Sequence, residues 1–243
     1  EPVDKLESSI HRCAAVLDKY QLLWRERRET GRHSSLLVTS ELEYLLFLLR
    51  SQYDLLQHFA RNVTKRLINL DGSGRRVVED LPRAFSEVVL SGETPRTVAE
   101  LCDRFRMPEI LARWYVEETP FFREIRRMRD AIAHYGASIP TIFELEAGFG
   151  IDPSQEPWRR FAEWPRELLW KGRFGGLRAL FAGLILHSIQ ATSRFRSVIE
   201  HSVRLPDPIT ELRCYIRSPF TQWLVGLQSL RDRPWEDLPA ERS

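Results

Sequence analysis

Cysteine is scarce in this chain, and its scarcity removes several classes of protein at once. Three of 243 residues are cysteine, and Cys13, Cys102 and Cys214 lie too far apart to form any Cys-x-x-Cys pair. That spacing argues against a disulfide framework and for a reducing compartment, each thiol reading as a small buried hydrophobe. No His-Glu-x-x-His stretch, paired Cys/His cluster or dense acidic cluster is present, so metal-dependent hydrolysis is not expected and no cofactor is called for. Long apolar runs are missing too. The longest, Ala179 to Leu186, falls well short of the ~20 residues a membrane span needs. With no signal-peptide pattern visible, the sequence reads as cytoplasmic and free of the membrane. Charge of one sign is also lacking: 36 basic against 34 acidic residues leave a net charge of +2. Nucleic-acid binding would therefore have to come from local clustering, not from the whole chain's field.

What the sequence has in quantity is helical periodicity. Residues 3–29 carry Leu6, Ile10, Cys13, Val16, Leu17, Tyr20 and Leu23 at three-and-four spacing, which predicts a first helix. Its end, Trp24 to Glu29, is a mixed charge run of the kind that faces water. Gly31 and the serines near 34 supply a turn. Ser40 and Glu43 have capping-box spacing and predict a second helix over 40–70. That helix is apolar over much of its girth (Tyr44, Leu45, Phe47, Leu48, Leu49, Leu55, Leu56, Phe59), so it should be the buried spine and a possible subunit interface. Arg50 and Asp54 lie one turn apart within it, either as an internal ion pair or as support behind a functional helix. His58 reads as a satisfied core histidine.

Further along, Asp71 to Arg76 holds two glycines and two arginines but lacks a phosphate-loop pattern, and reads as a flexible turn. Residues 79–118 predict three short helices. Thr97 to Arg113 has a faint helix-turn-helix look, but its second helix offers only Arg113 as a basic side chain, too little for a DNA reader. Thr119-Pro120 predicts the start of a helix over 120–135, with Phe121, Ile125, Met128 and Ile132 as its apolar stripe. Gly136 is a natural left-handed stop. A short strand is expected at 141–146. Trp158 to Trp170 is aromatic and basic, a pattern that fits core packing better than base stacking. Gly172 to Gly176 reads as a hinge, 177–203 as another long helix, and 209–232 as a final short helix or two.

One stretch gathers chemistry: Arg126-Arg127-Met128-Arg129-Asp130-Ala131-Ile132-Ala133-His134-Tyr135-Gly136. On a helix, Asp130 and His134 stack one turn apart, so the carboxylate could fix the imidazole tautomer. Arg129 lies five residues before His134, about 140° round the helix at ~3.6 residues per turn. A long arginine can still reach a phosphate that His134 also touches. In the last helical turn, the helix dipole would favour a protonated His134 and help it act as an acid.

Arg129-Asp130-Ala131-Ile132-Ala133-His134 resembles the R-x(4–6)-H signature of HEPN domains, helical proteins many of which are metal-independent ribonucleases. One HEPN subgroup carries a tyrosine two residues past the histidine; here Tyr135 comes one residue after and Gly136 takes that position. The resemblance implies an all-α fold. The expected form is a HEPN-like helical bundle of long antiparallel core helices, spanning 1–243 as one domain, with an insertion at 72–118 and a C-terminal elaboration at 205–243. It also implies an endoribonuclease that uses the RNA's own 2′-hydroxyl as nucleophile. Arg129 would hold the scissile phosphate, His134 would move protons and Asp130 would orient His134, while Arg126, Arg127 and Tyr135 would bind substrate. Arg50 and Asp54 would support them. One histidine serves poorly as both base and acid, so a homodimer with a composite site is expected. The setting implied is a toxin or an antiphage nuclease, paired with an antitoxin or sensor. The other class left open is a non-catalytic HEPN-like module that binds a partner protein.

Overall fold

The computed structural model describes residues 2–65, 78, 80–135, 139–160, 165–202, 220–233, 235 and 236. Within them, the side chains of residues 2, 3, 133–135, 160, 202 and 220–225 are not part of the description. Helix dominates the described residues: α1 (Pro2–Thr30), α2 (Ser35–Thr64), α3 (Phe85–Val89), α4 (Val98–Phe105), α5 (Glu109–Tyr135), α6 (Leu177–Ser202) and α7 (Phe220–Asp232). Two small antiparallel sheets accompany them. One pairs β1 (Leu90–Ser91) with β2 (Thr94–Pro95). The other orders β3 (Phe143–Glu144), β4 (Phe149–Ile151) and β5 (Gly175–Gly176) side by side. Among the described residues, no helix is long and apolar enough to cross a membrane.

The chain divides into two compact units. Unit 1 comprises residues 1–8, 51–123 and 189–218; unit 2 comprises 9–50, 124–188 and 219–243. Unit 1 is built round aromatic rings. Phe85 packs on Phe122 at 4.7 Å and on Tyr53 at 5.0 Å between centroids, and Trp114 meets Phe195 at 4.7 Å. Leu56, Ala60, Leu101, Leu111 and Ile199 fill between the rings. The polar groups of Tyr53, Gln57, Tyr115 and Glu118 inside this core are paired, as burial requires. The Tyr115 hydroxyl donates to Gln57 Oε1 at 2.6 Å, and Gln57 Nε2 donates to the Pro82 carbonyl at 2.8 Å. The buried Glu118 carboxylate accepts from Tyr53 at 2.9 Å and from Arg194.

The segment expected as three short helices contains α3 and α4 and then runs directly into α5. Glu100 and Thr97 form the capping box that starts α4, and Arg106, with φ +53°, ends it in the left-handed region. α5 opens at Glu109, not at Pro120, with the Pro108 carbonyl accepting from Leu111 and Ala112. Pro120 sits inside the helix. Its missing N–H removes one helical bond, and the Thr119 hydroxyl bonds the Tyr115 carbonyl at 2.7 Å on the turn before it. Burial of Trp114, Tyr115, Phe122, Ile125 and Met128 along one side outweighs that defect and keeps one helix.

Unit 2 holds the N-terminal helix pair and the three-stranded sheet. Buried residues recur along its part of α2 at Val38, Leu42, Leu45, Leu46 and Leu49, the stripe an amphipathic helix turns inward. Val16, Leu17, Tyr20 and Trp24 do the same on α1. Gly31, at φ +70°, closes α1, and Lys19 reaches back to Glu41 at 3.1 Å, as a helical hairpin with a short link requires. The girth of α2 is less uniformly covered than its composition implies: Leu36, Leu37, Tyr44 and Phe47 are exposed. His58, read as a core histidine, is exposed too. Phe149 packs against Tyr20 and Trp24, and β4 pairs Gly150 with Phe143 on one side and with Gly176 on the other. The strand expected at 141–146 is present over Phe143–Glu144, and only the end of the expected glycine hinge, Gly175–Gly176, forms an edge strand. Residues 66–70, the loop at 71–76, and residues 203–219 lie outside the described residues.

Candidate functional site

The arginine-rich end of α5 belongs to unit 2, and its geometry follows from helical spacing. Arg126 and Asp130 are one turn apart, and Arg126 Nε lies 3.4 Å from Asp130 Oδ2. Arg129, next in sequence to Asp130, brings Nη1 to 2.7 Å from the other oxygen, Oδ1. One carboxylate thus gathers two guanidinium groups. All three side chains stay about one-third exposed, Arg126 at 31%, Asp130 at 30% and Arg129 at 26%, so water and solutes can reach their polar ends. Arg129 also lies over the Phe47 ring of α2, 5.9 Å from its centroid. A guanidinium at that distance from an aromatic ring gains a cation–π attraction, and its planar fork of donors suits a planar anion. Arg127 is more exposed and leans toward Glu124.

α5 continues in helical form through His134 and Tyr135, so the backbone carries Arg129 and His134 on the same terminal turns. The side chains of His134 and Tyr135, and the whole of Gly136, lie outside the described residues. Asp130, expected to orient His134, has its two oxygens against Arg129 and Arg126. Of the pair expected to stand behind the motif, Arg50 is buried in unit 2. Asp54 belongs to unit 1, where its Oδ1 accepts the Phe85 amide at 3.2 Å. The arginine singled out in the helix-turn-helix segment, Arg113, pairs with Glu109 one turn earlier.

A second polar cluster in unit 2 was not legible in the sequence. Glu144, on β3, accepts the backbone amides of Ser34 and Ser35 at 2.7 Å each, through Oε1. Its Oε2 lies 2.8 Å from His33 Nδ1 and 3.1 Å from Arg27 Nε. Burial pushes this carboxyl upward. The hydrogen bonds from His33, the two amides and Arg27 outweigh burial and hold it at about 2. The first amides of α2 point at this carboxylate, so it satisfies donors that a helix leaves unpaired at its start. That is why α2 begins at Ser35. Ser40, expected as the cap, is inside the helix with its hydroxyl on the Leu36 carbonyl at 3.2 Å. His33 is held by Nδ1 and its ring is otherwise exposed, with Nε2 outward. The only signal that could have found this cluster is the run of hydrogen-bonding residues at 32–35. Its acceptor lies more than a hundred residues later, beyond the reach of any local rule.

Among the described residues, no group of three or more His, Cys, Asp and Glu side chains is placed to hold a metal ion. No family model matches the chain, and neither a curated protein nor a solved structure with significant similarity to it is found.

Proposed function

We propose that this protein is a metal-independent endoribonuclease of HEPN type, cytoplasmic and active as a homodimer. The observation that carries the reading is the pair of partly exposed guanidinium groups, Arg126 and Arg129, gathered on one carboxylate on the helix that bears His134. In the proposed reaction, a 2′-hydroxyl of the RNA attacks the adjacent phosphorus and the 5′-oxygen leaves. The products are a 2′,3′-cyclic phosphate and a free 5′-hydroxyl. His134 of one copy would take the proton from the 2′-hydroxyl, and His134 of the other would give one to the leaving oxygen. Arg129 would stabilise the charge that builds on the phosphorane oxygens, and Arg126 and Arg127 would add phosphate affinity. A toxin or antiphage setting, with an antitoxin or sensor as partner, belongs to the same proposal.

The test uses purified protein with mixed RNA in EDTA. Wild type should cleave. Arg129→Ala should lose about a hundredfold or more in rate, as removal of one oxyanion donor does. His134→Ala should lose at least as much. Equal inactivity of all three proteins, with the fold intact, would remove the enzyme. It would leave the second reading, a helical module that binds a partner protein. The exposed apolar face of α2, with Leu36, Leu37, Tyr44 and Phe47, favours that alternative.

A further inference from the structure

Trp235 and Glu236, which follow α7, are held by a buried ring and by hydrogen bonds to both backbone and side chain. Trp235 is buried at 5% exposure, its ring 5.9 Å from Trp170, and its indole N–H donates to the Leu168 carbonyl at 3.0 Å. The slot that admits it is floored by glycine. Gly148, at φ +150°, and Gly150 both face the segment. A Cβ on Gly150 would come within 3.3 Å of the Trp235 ring, and one on Gly148 would strike the Glu236 carboxylate. Polar groups from three further places read the segment's backbone and charge. Arg178 of α6 donates to the carbonyls of Arg233, at 2.6 Å, and of Trp235. The Ala147 carbonyl, in the β3–β4 turn, accepts the Glu236 amide at 3.1 Å. The buried Tyr20 hydroxyl of α1 donates to the Glu236 carboxylate. All of these residues belong to unit 2.

An indole slot floored by two glycines, a guanidinium on two carbonyls, a carbonyl on one amide and a phenol on one carboxylate are the parts of a peptide-recognition site. We infer that unit 2 contains a binding site for a short segment carrying a tryptophan followed by a carboxylate, and that the chain's own Trp235-Glu236 occupies it in cis as a displaceable latch. The wall of the site at Ala147 and Gly148 belongs to the same hairpin whose Glu144 caps α2, so the latch pins the support of that helix. The site is independent of the catalytic reading and stands or falls separately from it.

The experiment uses the whole 243-residue chain and a labelled peptide with the sequence of residues 233–238, followed by fluorescence anisotropy. Trp235→Ala empties the slot and leaves its walls; Glu236→Lys keeps the indole but repels the segment from Arg178. Both variants should bind the peptide at least about tenfold more tightly than wild type, whose slot is already filled. Changing the peptide's glutamate to glutamine, or adding Arg178→Met to the protein, should weaken that binding about tenfold, since each removes a charge-assisted hydrogen bond. A variant with a lowered melting temperature should be restored upward by the peptide. Equal peptide binding by wild type and both variants overturns the inference. So does a Trp235→Ala protein that neither binds the peptide nor is stabilised by it.

Discussion

Tyr115 and Gln57 meet where no water reaches, each 0% exposed, so the bond between them is a clean probe of what one buried hydrogen bond contributes. Tyr115→Phe keeps the ring and its contact with Phe85 but strands Gln57 Oε1. Such a loss costs about 1–3 kcal/mol. Urea unfolding should show a lowered midpoint with an unchanged slope; an unchanged midpoint would mean that Gln57 finds another donor. Arg129 is the residue-scale test of function. Arg129→Lys keeps the charge but loses the planar fork of donors that lies over the Phe47 ring. Its cleavage rate should fall nearly as far as that of Arg129→Ala, whereas a bare charge effect would leave it close to wild type.

α2 shows what an element owes to a distant residue. Ser34, directly before the helix, turns its hydroxyl to the Arg32 carbonyl, and Glu144 accepts the first amides instead. The carboxyl sits at about 2 in the folded chain against 4.5 as its ordinary value. Because the folded form is depressed, the stabilisation is present above the ordinary value and is lost as pH falls through it toward about 2. Glu144→Gln should therefore lower the melting temperature at pH 7 and flatten its decline between pH 5 and about 2. An acid limb as steep in the variant as in wild type would assign that decline to other carboxylates. α5 makes the complementary point. Proline at 120 predicts a helix start, yet the helix passes through it because the buried rings on both sides of it fix the axis.

At the scale of the whole molecule, the proposed chemistry needs two copies, and α2 offers an uncovered apolar face beside Arg129. Leu36→Glu and Leu37→Glu place charge on that face without touching the buried stripe at Leu42, Leu45 and Leu49 or the Phe47 ring beside Arg129. If it is the dimer surface, sedimentation at micromolar concentration should show dimeric wild type and monomeric variants with native circular dichroism. RNA cleavage should be lost together with the dimer. Monomeric wild type that still cleaves RNA would rule out the composite site.

Periodicity along the chain located the long helices and most of their inward faces, though not the exposure of Tyr44 and Phe47. Leu6 to Leu23, Leu45 to Leu56 and Leu180 to Ile189 repeat at three and four residues, and burial of such stripes needs no knowledge of the partner surface. Spacing along one helix is a local property, yet that spacing predicts Asp130 against His134, whereas its two oxygens lie against Arg126 and Arg129. Where α2 begins, whether Pro120 breaks α5, and what fills the slot behind Gly148 were decided only by tertiary structure. In each case the deciding group is brought in from elsewhere: Glu144 to the amides of Ser34 and Ser35, Phe85 to the α5 rings on both sides of Pro120, Trp235 and Glu236 to the glycines of the sheet. A hydrogen bond or a packed ring acts over a few ångströms of space and is indifferent to how much chain separates its partners, so local pattern carries no trace of it.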